Sequence, residues 1–364
     1  MRVLEIAASL KIGGAEKIAR DIGYYGFSDF YQIDYVVFDD ITDGYEKELQ
    51  EKGCNIYHLA QPSSSYSNYL KALYKLIKGN NYQVVHSHTM YNSGWGMLIA
   101  KICRVPIRIS HSHSVDAQPD KTRLQRFYET VMKHLIVRFS THYVGCGVKA
   151  GETLFGKKRY RKKGITILNG IDTEKFAYDE ENRQEARSRL KLTDNFVIGH
   201  AGHLAAVKNQ SFLINLMPEI LKKKQNAKLL LLGEGEDRQR LEKQISDLGL
   251  AENVIMTGNV TDVHKYLSAM DVFAFPSLYE GMPLSVIEVQ TNGLPCVMSN
   301  NVPQDVVLTD LIRRLSLEES YDIWAEAICN SKRSDPYKYE ERIRLLELDS
   351  KKMVNKILSL YCEN

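Results

Sequence analysis

Glu280 and Glu288 stand eight positions apart, separated by Gly281-Met282-Pro283 and an apolar run. A helix rises about 1.5 Å per residue, so carboxylates at that spacing lie on the order of 12 Å apart, with unpaired backbone N–H groups near the first. A sugar joined through a diphosphate to a nucleoside has that reach. One glutamate can hold sugar hydroxyls, the N–H groups can face the phosphates, and the second glutamate can take a ribose diol. Taken alone, two glutamates on a helix are an ordinary solvated surface.

Their setting adds meaning. Pro283 suits a first helical position and Gly293 a helix end, so the spacing predicts a helix over 283–292. The run 272–275 before it reads as a buried parallel strand, which puts both carboxylates beyond the carboxyl end of a sheet, where open α/β sheets bind ligands. A second strand ends in Gly199-His200-Ala201-Gly202-His203-Leu204, and Lys208-Asn209 follows at the head of a helix. The chain has no D-x-D, so no metal ion bridging a diphosphate is signalled and no cofactor is expected. Lys208 can supply that positive charge instead, although a solvated lysine in a first helical turn is the plainer reading.

Near the N-terminus, Gly13-Gly14 opens a helix after the first strand and lets backbone approach an anion or hydroxyl closely. This is not G-x-G-x-x-G. Asp39 and Asp40 follow the second strand where a nicotinamide-binding domain places its ribose acid, which keeps an oxidoreductase as an alternative class. Histidines gather at two strand ends, His86-Ser87-His88 and His111-Ser112-His113. No acid accompanies either pair in sequence, and strand alternation is expected to split each pair across opposite faces or onto a loop, so hydrogen bonding to a polyhydroxyl ligand is favoured over a metal site.

The elements that carry these groups alternate in type. Strands are expected at 3–8, 33–38, 83–86, 107–110, 142–146 and 165–168, with helices such as 15–25, 66–78 and 93–103 between them. After Asn169-Gly170-Ile171-Asp172 and a charged stretch over 179–191, strands resume at 196–200, 228–232, 254–257, 272–275 and 296–299. Repeated βα units imply parallel sheets covered on both faces. A length of 364 residues, 44% hydrophobic and 26% charged, fits two such domains, over 1–172 and 173–334. The tail over 335–364 is helical in pattern and either returns to the first domain or pads the second. A net charge of +3 does not call for nucleic acid, and six scattered cysteines without C-x-x-C spacing read as reduced thiols. The N-terminus does not read as a signal peptide and no run reaches the ~20 apolar residues of a membrane span, so a cytoplasmic location is expected.

A basic run, Lys157-Lys158-Arg159-Tyr160-Arg161-Lys162-Lys163, lies between two elements of the first domain. Nearby, Leu124, Phe127, Tyr128, Val131, Leu135 and Phe139 form a helical apolar stripe among basic residues. Such a face can rest on an anionic bilayer, at roughly 1 kcal/mol per basic residue, or pack its stripe on the sheet.

Taken together, Gly13-Gly14-Ala15-Glu16, Asn169-Gly170-Ile171-Asp172 with Phe176, Gly202 with Lys208, and Pro276-Ser277 through Glu280 and Glu288 to Gly293-Leu294-Pro295 resemble the retaining glycosyltransferases of glycosyl transferase group 1, family four. The likeness runs over nearly the whole chain and looks closest to bacterial exopolysaccharide and capsule enzymes. It implies the GT-B fold, two facing Rossmann-like doubly wound domains with a cleft between them. It also implies a hexosyl-type, metal-independent transfer from a uridine-linked nucleotide sugar to a polyprenyl-linked oligosaccharide at the inner membrane face. By that likeness Glu280 serves the transferred sugar, Glu288 the ribose and Lys208 the diphosphate. Gly202, Gly281, Met282, Pro283 and Leu284 complete the donor site, and Gly13, Gly14 and either His111 or His113 face sugar and acceptor. One departure stands out: where the family often carries an arginine after the glycine of the Lys208 loop, the nearest candidate is His203, a weaker, pH-dependent cation. A sugar-nucleotide-binding partner subunit with little turnover is the alternative from another class.

Overall fold

The computed structural model describes residues 1–11, 13–38, 44–61, 64–114, 121–333, 335–346 and 348–362. Asp39 and Asp40 lie outside them. The chain divides into two units, Met1–Gly170 together with Ser350–Asn364, and Ile171–Asp349.

The first unit holds seven parallel strands, β1 (Arg2–Ile6), β2 (Gln32–Val37), β3 (Ile56–His58), β4 (Val84–Ser87), β5 (Ile107–Ser112), β6 (His142–Gly145) and β7 (Gly164–Thr166). Their order is β3-β2-β1-β4-β5-β6-β7. The second holds β8 (Phe196–Ala201), β9 (Ala227–Leu232), β10 (Val254–Met256), β11 (Val272–Phe275), β12 (Cys296–Ser299) and β13 (Ile312–Leu315), in the order β10-β9-β8-β11-β12-β13. Each sheet therefore reverses its winding once, between β1 and β4 and between β8 and β11. Diverging connections open a crevice at such a reversal, and ligands of doubly wound sheets bind there.

Both sheets are buried on their two faces, as parallel sheets must be. All four residues of β11, VFAF, are buried, and so are those of β12. In the second unit, Leu213, Met217, Leu229, Leu231 and Trp324 pack on one face of the sheet, and Leu230, Phe273, Val286, Val289 and Met298 on the other. β3 and β13 are short edge strands with half-buried side chains, and the sequence reading passed over both. The charged stretch read as a pause contains a helix, Glu180–Arg189, capped by Asp179. The basic run expected between elements is itself a helix, Lys157–Lys163.

The tail separates at Ser350. Helix Tyr337–Leu345 belongs to the second unit and buries Tyr339 and Ile343, while helix Ser350–Leu360 lies with the first and buries Met353, Val354, Ile357 and Leu360. A single tail element starting at 335 is thus corrected to two helices with different partners. The six cysteines are unpaired; Cys54, Cys146 and Cys296 are buried, and Cys362 is exposed. No described helix is long and apolar enough to cross a membrane.

Candidate functional site

β8 and β11 flank the reversal in the second sheet, and the loops leaving their carboxyl ends meet. After β8, a 3-10 turn, Ala206–Lys208, hands over to helix Gln210–Lys223 through Asn209, which adopts a left-handed conformation with φ 57°. Asparagine tolerates that region better than most residues. Its amide donates to the Pro276 carbonyl at 3.2 Å, and the Leu278 amide donates to the Val207 carbonyl at 2.8 Å, so the two loops are stitched together. Lys208 Nζ then lies 2.6 Å from Glu280 Oε1, with both side chains mostly shielded. The ammonium also sits 5.5 Å from the centre of the Phe275 ring. Ser277, in the same loop, is buried and its hydroxyl has no protein partner among the described residues.

Helix Leu284–Thr291 starts directly beyond this loop, with Pro283 at its N-cap rather than as its first residue, and Asn292 and Gly293 close it. Its first N–H groups have no intrahelical acceptor. Pro283 is buried, Met282, Leu284 and Glu288 are half-buried, and Gly281 is exposed. Three side chains fix this helix. The Gln290 amide donates to the Val286 and Val306 carbonyls, while its oxygen accepts from Leu308 N, Thr309 N and Thr309 Oγ1. Asn292 donates to the Phe176 carbonyl, and Arg333 donates to the backbone and side-chain oxygens of Asn292. Burial pulls the Arg333 guanidinium down to about 10. Gln290 and Arg333 were not expected from the sequence, where Gln290 is a polar side chain within an apolar helix and Arg333 one of several basic residues beyond the last strand.

His203 is placed elsewhere than expected. Its Nε2 pairs with Glu236 at 2.7 Å, and both side chains are more than half exposed. His200, which attracted no role, is fully buried and packs against Phe273 and Phe275, with the three ring centres 5.6 to 6.0 Å from one another, and its Nδ1 bonds the Ala274 carbonyl. Burial lowers its pKa to about 4, helped by the charge of Lys208. Gly202 lies against both groups: a β-carbon there would meet His200 Nε2 at 3.6 Å and Lys208 Cε at 3.7 Å, ordinary contact distances.

The first unit gathers a second polar cluster at its own sheet reversal. Residues two apart on a strand share a face, so the pairs are not divided between opposite faces; His88 and His113 lie just past the ends of β4 and β5, as the loop alternative has it, yet the four rings stay together. His86 on β4 and His111 on β5 stack with ring centres 5.4 Å apart, and His88 and His113 lie beyond them, 5.0 Å from one another. The carboxylate missing from the local sequence comes from β1. Glu5, fully buried, lies 2.7 Å from His88 Nε2 and 3.3 Å from His86 Nδ1, and accepts from the Tyr361 hydroxyl at 2.6 Å. Burial raises the Glu5 carboxyl, but the imidazoles beside it outweigh that and hold it at about 2. Burial, with neighbouring imidazoles second, keeps His111 and His113 neutral far below their ordinary range. Glu5 could have been noticed as the one acid inside an otherwise apolar strand; Tyr361 carried no signal. Gly13 caps helix Gly14–Gly26 beside the same reversal, next to Glu16.

The basic helix lines a cavity of about 500 Å³ together with Tyr143 and Phe155, and Lys157, Lys158, Arg159, Lys162 and Lys163 surround it. It lies in the first unit, apart from Lys208 and Glu280 in the second. Arg161 turns to Glu152.

Residues 12–175 match the family model for Glycosyltransferase Family 4, and residues 181–351 match that for Glycosyl transferases group 1. The chain belongs to the group 1 glycosyltransferases. It is 29% identical over 370 residues to the putative glycosyltransferase EpsF of Bacillus subtilis, covering 99% of this chain and 96% of that protein. It is 29% identical over 237 residues to the UDP-Gal:alpha-D-GlcNAc-diphosphoundecaprenol alpha-1,3-galactosyltransferase of Escherichia coli, covering 64% of this chain and 61% of that one. The crystal structure of Anabaena Alr3699/HepE in complex with UDP-glucose superimposes with a TM-score of 0.81 at 20% identity, covering 99% of this chain and 98% of that one. That likeness is one of fold. The two doubly wound sheets of this group 1 glycosyltransferase are the two Rossmann-like domains of the GT-B architecture.

Proposed function

We propose that this glycosyltransferase moves a hexose from a uridine diphosphate sugar to a lipid-linked oligosaccharide in exopolysaccharide or capsule assembly, with the anomeric configuration retained. The observation that carries the reading is the ion pair between Lys208 and Glu280 at the sheet reversal, beside the open N-terminus of helix Leu284–Thr291. A carboxylate there is suited to sugar hydroxyls and an ammonium to phosphate oxygens. In the resting site each neutralises the other; with donor bound, Glu280 turns to the sugar and Lys208 to the diphosphate. Glu288 takes the ribose diol, and Gly202, Gly281, Met282, Pro283 and Leu284 line the donor.

As the bond from the anomeric carbon to the leaving oxygen breaks, negative charge builds on the diphosphate, where Lys208 and the helix N–H groups stabilise it. The acceptor hydroxyl attacks from the face the leaving group occupied and gives its proton to a phosphate oxygen, so no side-chain nucleophile is needed. Lys208 takes the place a divalent ion holds in metal-dependent transferases. His203, bound to Glu236, is left outside the phosphate clamp. Of the two histidines proposed for the acceptor side, His113 is half-buried and His111 fully buried, which favours His113.

The lipid-linked acceptor is supported by the printed activity of the Escherichia coli relative, and the uridine donor by that relative and by the ligand of Alr3699/HepE. Docking on the inner face of the cell membrane is supported by the basic helix and by helix Arg123–Phe139, whose Leu124 and Phe127 are 77% and 68% exposed beside Arg123 and Arg126. The test is a panel of nucleotide sugars in thermal unfolding, since a ligand specific to the native state raises its melting temperature. A UDP-hexose should shift it most and support transfer to a polyprenyl-diphosphate sugar, with the anomeric coupling of donor and product unchanged by NMR. Inversion, or stabilisation by a different nucleotide alone, contradicts the reading.

A further inference from the structure

His86, His88 and His111 each offer one ring nitrogen, and these three atoms lie within 4.8 Å of one another in a buried site. Buried polar atoms are normally hydrogen-bonded, yet His86 Nε2 and both nitrogens of His111 have no partner among the described residues, nor does His113 Nδ1. His86 and His111 thus bring unpaired ring nitrogens close to His88, whose own two nitrogens bond His113 and Glu5, and a cation with nitrogen ligands would satisfy the unpaired ones.

The surrounding bonds already select the ring nitrogens that would bind it. Tyr361 donates its hydroxyl proton to Glu5 Oε1, so His86 Nδ1, 2.8 Å from the Tyr361 oxygen, is the donor of that pair. This leaves a lone pair on His86 Nε2. Glu5 Oε2 accepts from His88 Nε2 at 2.7 Å, which leaves the lone pair of His88 on Nδ1. Ligating histidines characteristically give their other N–H to a carboxylate or similar acceptor, which fixes the tautomer and ring orientation. Here one buried carboxylate serves His88 directly and His86 through Tyr361.

We propose that the first unit binds a zinc-like divalent transition ion through His86 Nε2, His88 Nδ1 and His111. Three imidazoles suit zinc, with the fourth position left for water, while His113, whose Nε2 now bonds His88 Nδ1 at 2.7 Å, stays on the acceptor side. Ligand atoms on a tetrahedral ion of this kind are roughly 3.3 Å apart, so binding brings the three rings together around the ion and, by taking His88 Nδ1, releases the bond between His88 and His113. The ion would tie the ends of β4 and β5 together and, through Glu5 and Tyr361, hold the C-terminal helix to β1. It lies in the first unit, whereas Lys208 and Glu280 lie in the second, so the inference stands apart from the donor reading.

The test uses the full chain with any affinity tag removed. Titration with Co2+ should give saturable visible absorption of a tetrahedral nitrogen site at one equivalent, which Zn2+ abolishes, and Zn2+ should raise the melting temperature. The double variant H86Q/H111Q should lose both effects. Tyr361→Phe, which cuts the link from Glu5 to His86, should weaken Co2+ binding by on the order of 10-fold. Should the double variant fail to fold by circular dichroism, the wild-type titration decides alone: no uptake of Co2+ or Zn2+ by the folded protein overturns the proposal. So does uptake unchanged in a folded H86Q/H111Q.

Discussion

At the scale of single residues, the roles proposed for Lys208 and Glu280 make their ion pair the resting state of the donor site. An ion pair this close is shielded from water on most sides, and a ligand that offers phosphate to one member and hydroxyls to the other replaces it without leaving a charge bare. Glu288 sits eight residues further along, half-buried in the helix, and its proposed grip on the ribose is made equally in the ground and transition states. Glu288→Gln should therefore raise the donor KM about 10-fold while kcat changes little, as steady-state kinetics would read. A fall in kcat at unchanged KM would give it another role. His200 carries a different expectation. An unfolded histidine takes its proton near pH 6.5, while the buried ring takes it only at about 4. Between those values the unfolded chain binds more protons, so stability falls as pH drops, by up to about 3 kcal/mol at pH 4 from this group. His200→Asn should unfold more readily at pH 7 and lose less further stability between pH 6.5 and 4 than the wild type, measured by urea titration.

At the scale of elements, helix Leu284–Thr291 is held at both ends. Gly293 follows it with φ 64°, and a β-carbon there would come within 2.5 Å of the Pro336 α-carbon. Alanine in that left-handed conformation costs about 1 kcal/mol before the clash with backbone is counted. Gly293→Ala should thus destabilise the second unit by at least about 2 kcal/mol and lower its melting temperature by on the order of 5 °C. An unchanged melting curve would show that the helix end can rearrange. This ending was legible in sequence, as were the strand before it and the helix between, because proline, glycine and a short apolar, aromatic run act locally. Gln290 and Arg333 were not, since their partners lie 16 to 19 and 41 to 66 residues away along the chain. The histidine pairs were visible, but their convergence depends on β1, β4 and β5 being neighbours, and Glu5 joins them only once the sheet is formed.

At the scale of the whole molecule, the alternation of strand and helix gave the two doubly wound sheets, and the strand orders give each a reversal at which its polar groups collect. Edge strands β3 and β13 escaped because short, half-buried segments lack a continuous apolar run. The basic helix and the exposed Leu124 and Phe127 belong to the first unit alone, so any bilayer contact should depend on that unit. Reversing Lys157, Lys158, Lys162 and Lys163 to Glu should abolish co-sedimentation with vesicles rich in anionic lipid, and 0.5 M salt should weaken the wild type in the same way. Binding that survives both would assign the contact to another surface.

The central claim is that Lys208 and Glu280 together hold and activate the donor. Its most direct measurement is the rate of sugar transfer, or of donor hydrolysis without acceptor, in Lys208→Ala and Glu280→Gln, each checked for folding by its melting curve. Removing a group that stabilises charge in the transition state lowers turnover by on the order of 100-fold, and a loss of that size is the result predicted for each variant. Undiminished turnover in both folded variants would contradict it.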